Sequence, residues 1–187
     1  MRAQANAERA ADAMTAFHAS VAKAFDQTQD PRVSPRKGLA LLREIAARWS
    51  ATLTPFSACR KGCSHCCHIG VAISPLEAEL MGEAIGVRPR HVSRLSWNVR
   101  QPAGSRPGEA CPFLREGQCS IYAHRPLMCR TLVNLDDDET QCRLDETRAV
   151  AYADARALQA VYLRLSGSPR GMADIRAFFP KGRGRAS

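Results

Sequence analysis

Ten consecutive residues, CRKGCSHCCH at 59–68, contain four cysteines and two histidines. Thiol and imidazole groups gathered in this way can bind a transition metal, form disulfides or provide a reactive thiol. Cys63 and Cys66 have the C-x2-C spacing with which a tight turn directs two sulfurs at one ion. Adding Cys59 and Cys67 gives C-x3-C-x2-C-C, a pattern much rarer by chance than C-x2-C alone.

A second group of cysteines follows in the middle of the chain, at Cys111, Cys119, Cys129 and Cys142. Together the two groups supply eight sulfurs, enough to fill two four-coordinate metal centres without any histidine. We therefore predict that all eight cysteines bind metal. The nearby imidazoles of His65 and His68 are expected to lie beside the ligands or in solvent.

Other interpretations of the cysteines stay open at this stage. Four structural disulfides would need an oxidising compartment, whereas the N-terminal sequence indicates an amphipathic helix rather than a signal peptide. The adjacent Cys66 and Cys67 could form a strained disulfide and act as a redox pair. One or two cysteines could be buried as small hydrophobic residues, but four within nine positions could not.

The two adjacent cysteines raise a geometric question. A C-x2-C turn aims Cys63 and Cys66 at one ion, and the next side chain along the chain projects elsewhere. Two neighbouring sulfurs cannot easily close on one small ion without strained backbone. We therefore predict that Cys67 joins a second centre, or its own iron of a larger cluster, with sulfurs from residues 111–142.

Composition narrows the class of protein. The chain has 187 residues, a formal net charge of +9 and 45% hydrophobic residues, which is ordinary for one globular domain. Metal-bound thiolates would reduce the positive charge, and a solvated surface explains the arginines at 88–106 more simply than a specific nucleic-acid site. No run of about 18 apolar residues occurs. These features predict a cytoplasmic protein with no membrane partner.

Apolar periodicity and turn residues predict the elements that position the cysteines. Ser34 and Ser74 each precede a proline and are expected to cap helices, with Glu77 reaching back to complete a capping box on Ser74. The Gly- and Pro-rich segment 101–120 is expected to be irregular, and HIGVAI (68–73) to be extended. The helices are predicted at about 3–27, 35–53, 75–85, 89–100 and 138–165, with a last short apolar turn in IRAFF at 175–179.

The predicted fold class is mainly α: a single helical domain with irregular cysteine-rich loops around a metal centre. Within this one domain we expect four parts. They are an N-terminal helical segment (1–54), a cysteine-cluster core (55–145), a C-terminal helical segment (146–179) and a disordered basic tail (180–187).

Two stretches resemble the YkgJ family, also known as the CxxCxxCC domain: GCSHCCHIGVAISPLEAELM (62–81) and CPFLREGQCSIYAHRPLMCR (111–130). The second is the more specific, because C-P-F-L, C-S-I-Y, R-P and C-R occur together in order. The resemblance implies a small domain whose cysteines bind zinc or an iron–sulfur centre. The cysteines that match its motifs are Cys63, Cys66 and Cys67 in the first stretch and Cys111, Cys119 and Cys129 in the second. Cys59 stands one residue further from Cys63 than in the family pattern, and Cys142 lies outside both motifs.

Side chains around the sulfurs are expected to tune the centre. Arg125 and Arg130 are predicted to donate hydrogen bonds to thiolates and offset their charge, which would raise the reduction potential of a cluster. Tyr122, with its apolar neighbours, is predicted to help exclude water.

The leading interpretation is metal or iron–sulfur binding in a structural or electron-transfer role. Both zinc and iron accept four thiolates, so the sequence leaves the identity of the metal open. It also leaves open whether the protein is an enzyme. One alternative is a protein-modifying enzyme related to the flagellin lysine N-methylases, which have a similar cysteine motif. Another is a metal-stabilised module that binds a protein partner.

Overall fold

The computed structural model of the protein describes residues 2–60, 62–96, 98, 102–104, 108–143, 149–166 and 171–180. Within these ranges the chain is mainly helical, which confirms the predicted fold class at that level. The helices are α1 (Arg2–Arg9), α2 (Ala11–Gln29), α3 (Pro35–Leu53), α4 (Pro75–Ile85), α5 (Leu127–Thr131), α6 (Arg156–Leu165) and α7 (Ile175–Phe178). The strands are β1 (Ala72–Ile73), β2 (Leu114–Arg115), β3 (Gln118–Cys119) and β4 (Ala173–Asp174).

Helix α3 is the centre of the larger hydrophobic core. It begins where predicted, because the Ser34 hydroxyl accepts a hydrogen bond from the backbone N–H of Lys37 and Pro35 fixes the first turn. One face of α3 is buried between α2 and α6, and each fully buried aliphatic side chain there contributes about 1.5–3 kcal/mol. The buried side chains of this contact include Phe17, Val21, Leu42, Ile45, Trp49, Leu158 and Val161.

A second, smaller hydrophobic cluster supports the cysteine segments. Strands β1 and β4 pair antiparallel, with Ala72 opposite Asp174, and bring α4 and α7 together. The apolar members of this cluster include Val71, Ile73, Met81, Ile175 and Phe178. Cys67 and Cys111 are buried in the same cluster, so the cysteine-rich part of the chain rests on it.

Helix α4 has the predicted bounds but not the full capping box. The Ser74 hydroxyl accepts from the Glu77 backbone N–H at 3.1 Å, and Gly86 ends the helix in a left-handed conformation with φ 67°. The Glu77 side chain does not reach back. It points into the core, and the Ser74 backbone N–H donates to the Tyr162 hydroxyl at 2.9 Å instead.

The helix predicted at 3–27 is wrong in part, and the helix predicted at 89–100 is wrong over its described residues. The helix expected at 3–27 is interrupted at Ala10, which divides it into α1 and α2. The stretch predicted as a helix at 89–100 is non-helical over its described residues. There Ser96 exchanges two backbone hydrogen bonds with Met172, and the Arg90 N–H donates to Phe178 O. Pairing with the C-terminal segment overrides a weak local helical preference.

The helix expected at 138–165 is also much shorter. Only its C-terminal part forms α6, and residues 144–148 lie outside the described ranges. Residues before α6 run alongside the segment that follows α5: the Ala153 N–H donates to Val133 O at 2.9 Å and the Leu135 N–H donates to Ala151 O at 3.0 Å. These long-range hydrogen bonds form in place of the predicted helix.

Part of the segment 101–120, predicted to be irregular, forms a β-hairpin. Strands β2 and β3 pair antiparallel, with Leu114 opposite Cys119. Glu116 and Gly117 form the turn, with φ of 48° and 74°. Two successive positive φ values are typical of the two-residue turn whose twist matches that of its strands.

No helix in the described part of the chain is long and apolar enough to cross a membrane. Most of the predicted basic tail, residues 181–187, lies outside the described part.

Candidate metal centre

The first cysteine segment is built from short turns. After α3 the chain passes through a 3-10 turn at Thr54–Phe56 and forms another at His65–His68, which contains the adjacent cysteines. The Cys63 N–H donates to Arg60 O at 3.1 Å, and the Cys67 N–H donates to Ser64 O at 2.9 Å. These short turns hold the backbone that carries Cys63, Cys66 and Cys67.

The second segment packs directly against the first. The Cys111 N–H donates to Cys67 O at 2.7 Å, which fixes the two backbones side by side. The β2–β3 hairpin then returns the chain with Cys119 in β3, and α5 carries Cys129. A backbone hydrogen bond, a hairpin and a short helix therefore position the three sulfurs of this segment.

Six cysteines line one small cavity of about 30 Å³. The rest of its wall is mainly apolar. The lining cysteines are Cys63, Cys66, Cys67, Cys111, Cys119 and Cys129. The structure thus brings the two sequence motifs together at one site.

The other two cysteines lie together at a separate end of the site, on either side of Asn134. The backbone N–H of Asn134 donates to the Cys59 sulfur at 3.3 Å, and its side-chain amide donates to the Cys142 sulfur at 3.3 Å. Asn134 is 1% exposed. N–H donors directed at sulfur favour the thiolate form, as expected beside a metal-bound cysteine.

Burial and mutual repulsion oppose ionisation of these thiols in the protein alone. Burial raises the pKa of Cys129 well above its ordinary value, and the neighbouring Cys66 and Cys111 thiols add to this effect. Burial also raises the pKa of Cys111 to about 11, which the Arg176 guanidinium partly offsets. Burial raises the pKa of Cys142 as well, with further contributions from Cys59 and other thiols nearby. A bound cation would stabilise the thiolates that burial disfavours.

The adjacent cysteines have different surroundings. A hydrogen bond from the Cys67 thiol lowers the pKa of Cys66, and the same bond raises that of Cys67. Cys67 interacts electrostatically with Cys66, Cys111 and Cys119. Cys66 also influences Cys129 on the cavity side and Cys142 at the Asn134 end. Cys66 thus lines the cavity and also influences Cys142 electrostatically, whereas the thiols that influence Cys67 all line the cavity.

Arg125 is the cation that lies against the cavity. Its guanidinium stacks 3.7 Å from the centre of the Tyr122 ring, and its Nε donates to Tyr122 O at 3.2 Å. This stacking holds the guanidinium where it opposes the burial-raised pKa of Cys59, Cys119 and Cys129. Arg125 and Tyr122 both line the cavity, but the hydrogen bond from Arg125 goes to the Tyr122 carbonyl rather than to a sulfur, the acceptor predicted from the sequence.

The other predicted neighbours have more peripheral positions. Arg130 donates to the carbonyls of Arg125 and Ala123, at 2.8 and 2.6 Å, and so braces the loop that carries Arg125 rather than a sulfur. Burial lowers the pKa of Arg130 to about 10. His65 and His68 are half-buried at the ends of their 3-10 turn.

A buried carboxyl group holds α5 in place. The Glu77 carboxyl accepts from the Leu127 N–H at the start of α5 and from the Tyr162 hydroxyl, both at 2.7 Å. Burial raises the pKa of Glu77, and Arg43, whose Nε lies 3.5 Å away, opposes this. Through Leu127, the helical core fixes the turn that carries Cys129.

The donor set fits a thiophilic metal. All eight cysteines are free thiols, they come together from both segments, and backbone and side-chain N–H groups already point at two of the sulfurs. Among the described residues, no group of three or more His, Cys, Asp or Glu side chains already has the arrangement that holds an ion. The sulfurs would therefore have to move closer together on binding.

Sequence reasoning missed the residues that support the cysteines from a distance. Asn134 lies in VNLDDD, where an asparagine before acidic residues indicates only a turn. Arg176 lies in the short apolar IRAFF segment, far along the chain from the cysteines it approaches. A Glu77 side chain that follows Ser-Pro resembles an ordinary capping residue. None of the three carries a local signal of its role.

Comparison with known proteins bears on the same region. No curated protein and no solved structure matched the chain. The sequence model of the CxxCxxCC family, described as "Putative zinc- or iron-chelating domain", matches residues 58–153, which is just over half of the chain and spans all eight cysteines. The matched range agrees with the region where the structure gathers the thiols, and the chain belongs to the CxxCxxCC family.

Proposed function

We propose that the protein holds zinc or an iron–sulfur cluster through its eight cysteines, in a structural or electron-transfer role. The observation that carries this proposal is the convergence of six free cysteines from two distant segments on one small cavity. The thiolates would hold the metal, Arg125 would offset part of their negative charge, and Tyr122 would limit the access of water. A bound zinc ion would cross-link the loops, whereas an iron–sulfur cluster would accept and release an electron.

The ligands divide into two neighbouring groups in this proposal. Cys67, Cys111, Cys119 and Cys129 belong to the cavity end, and Cys59 and Cys142 to the Asn134 end. Cys63 and Cys66 lie near both, because they line the cavity and also influence Cys142 electrostatically.

Anaerobic purification followed by elemental analysis, a sulfide assay and a visible spectrum tests the proposal. A brown protein with labile sulfide identifies an iron–sulfur centre, and a redox titration then tests electron transfer. A colourless protein with near-stoichiometric zinc identifies a structural zinc site. A reduced, folded protein that retains neither metal, and takes up neither on reconstitution, would refute metal binding.

Asn134 provides a sharper prediction about the end of the site that holds Cys59 and Cys142. Asn134→Ala removes the side-chain donor to the Cys142 sulfur but keeps the backbone donor to Cys59. We expect metal binding to weaken by roughly 10-fold or more, the usual effect of losing a donor next to a ligand. Competition with a chromophoric chelator measures the affinity, and peptide mass spectrometry after alkylation should show Cys142 reacting faster.

Asn6→Ala is the matched control. Asn6 is a buried asparagine that holds the same loop by donating to Leu135 O at 2.6 Å and to the Asp137 carboxylate at 3.2 Å, with no contact to sulfur. This variant should lose stability while its metal content stays normal. Equal loss of metal in both variants would show that Asn134 acts through loop stability alone.

A further inference from the structure

The Arg176 side chain in α7 is almost fully buried, with 6% exposed. Its guanidinium donates to three backbone carbonyls: Nη2 to Cys67 O at 3.2 Å, Nη1 to Ile69 O at 3.1 Å and Nε to Glu109 O at 3.0 Å. Nη1 also donates to the carboxylate of Asp174 at 2.9 Å. Each of the three guanidinium nitrogens thus donates to at least one acceptor.

These carbonyls belong to both cysteine segments. Cys67 and Ile69 lie in and just after the turn that carries the adjacent cysteines, and Glu109 lies two residues before Cys111. The Cys67 carbonyl accepts from the Cys111 N–H as well as from Arg176. One side chain from the C-terminal segment therefore spans the junction at which the two segments meet.

The arrangement requires arginine and a buried carboxylate. The planar guanidinium offers N–H groups in fixed directions, whereas a lysine ammonium could reach only part of the same set of carbonyls. Asp174 is fully buried, pairs with Arg176 and accepts from the Val71 N–H at 3.1 Å, so neither buried charge lacks a partner. Strand β4 fixes Asp174 opposite Ala72 of β1.

We infer that Arg176 is a positioning residue of the metal centre, and that the segment 171–180 is part of its frame although it lies beyond the family match at 58–153. By fixing the carbonyls of Cys67 and Glu109, Arg176 sets the separation of the Cys67 and Cys111 sulfurs. This inference rests on the proposed function. It goes beyond it by assigning a role to a segment outside the cysteine motifs.

Two other Asp–Arg pairs in the chain show that this pairing by itself does not make a positioning site. Asp30 with Arg32, and Asp154 with Arg156, have the same spacing and the same carboxylate–guanidinium pairing. The arginine side chains of both pairs are 88% exposed. Only the Asp174–Arg176 pair is buried against the cysteine segments, and the Asp154–Arg156 pair provides a matched control.

The test compares Arg176→Gln, Arg176→Lys and Arg156→Gln in the full chain, purified anaerobically with its metal. Metal per chain is measured, and the alkylation rate of each cysteine is followed by peptide mass spectrometry. We expect both Arg176 variants to bind metal roughly 10- to 100-fold more weakly than the parent, with Cys67 and Cys111 alkylated selectively faster than Cys59 and Cys142. Arg156→Gln should match the parent protein.

The selectivity separates positioning from stability, because a general loss of fold would expose all eight thiols alike. Normal metal content with unchanged alkylation in Arg176→Gln would overturn the inference, as would uniform acceleration at every cysteine. If Arg176→Gln does not fold, Arg176→Lys decides by the same two measurements. A parent protein without metal would instead refute the proposed function itself.

Discussion

Removal of the metal under reducing conditions should release the two cysteine segments, about 55–70 and 101–135, while α3 and its partners stay folded. Within the described residues of these segments, the regular structure consists of 3-10 turns, two-residue strands and the five-residue α5. None of these elements is stable alone. A structural zinc site contributes on the order of 10 kcal/mol to such elements. The helical core of α2, α3 and α6 is apolar and contains no cysteine.

Limited trypsin digestion measures this release residue by residue. Arg60 and Arg115 are exposed sites within the cysteine segments, and Arg48 is an exposed site on α3. Chelation should accelerate cleavage after Arg60 and Arg115 while Arg48 stays protected and most of the helical circular dichroism remains. Chelator saturated with zinc beforehand is the control. Cleavage rates that do not change in protein shown to be metal-free would contradict metal ligation by these loops.

The bounds of α3 and α4 were predictable because their start signals are local. A serine cap followed by proline needs no distant partner, and Gly86 provides the positive φ that ends α4. The described residues of the segments 89–100 and 138–155 were mispredicted as helical because their conformation depends on partners far along the chain. Ser96 pairs with Met172, and Ala153 donates to Val133. Periodicity carries no information about such pairing.

The candidate site likewise contains residues that could be predicted from the sequence and residues that could not. The eight cysteines were found by type and spacing, since clustered thiols are rare enough to indicate metal chemistry by themselves. The side chains that support the cysteines were not found, because their contacts form only in the folded protein. Asn134 contacts Cys59 across 75 residues of sequence and Arg176 contacts Cys67 across 109. Such positions become visible only when the segments are folded together.

The largest effects of single substitutions are expected at the two adjacent cysteines, and they should differ. Cys67 interacts with Cys66, Cys111 and Cys119, which all line the cavity. Cys67→Ser should therefore lower the metal content without abolishing it, and leave Cys59 and Cys142 slow to alkylate. Cys66 lines the cavity and also influences Cys142, so Cys66→Ser should reduce the metal content further and expose cysteines at both ends.

Elemental analysis of each purified variant, combined with alkylation of individual cysteines, distinguishes these outcomes. Ser64→Ala is the control, because Ser64 precedes the same 3-10 turn and contributes its backbone carbonyl, which the substitution keeps. Serine preserves the shape of cysteine but is a poor ligand for a thiophilic metal, so the difference reports ligation rather than packing. Identical metal loss and identical alkylation patterns in the two variants would place both sulfurs on one mononuclear ion. A disulfide between Cys66 and Cys67 in the reduced protein would equally exclude the division of ligands proposed here.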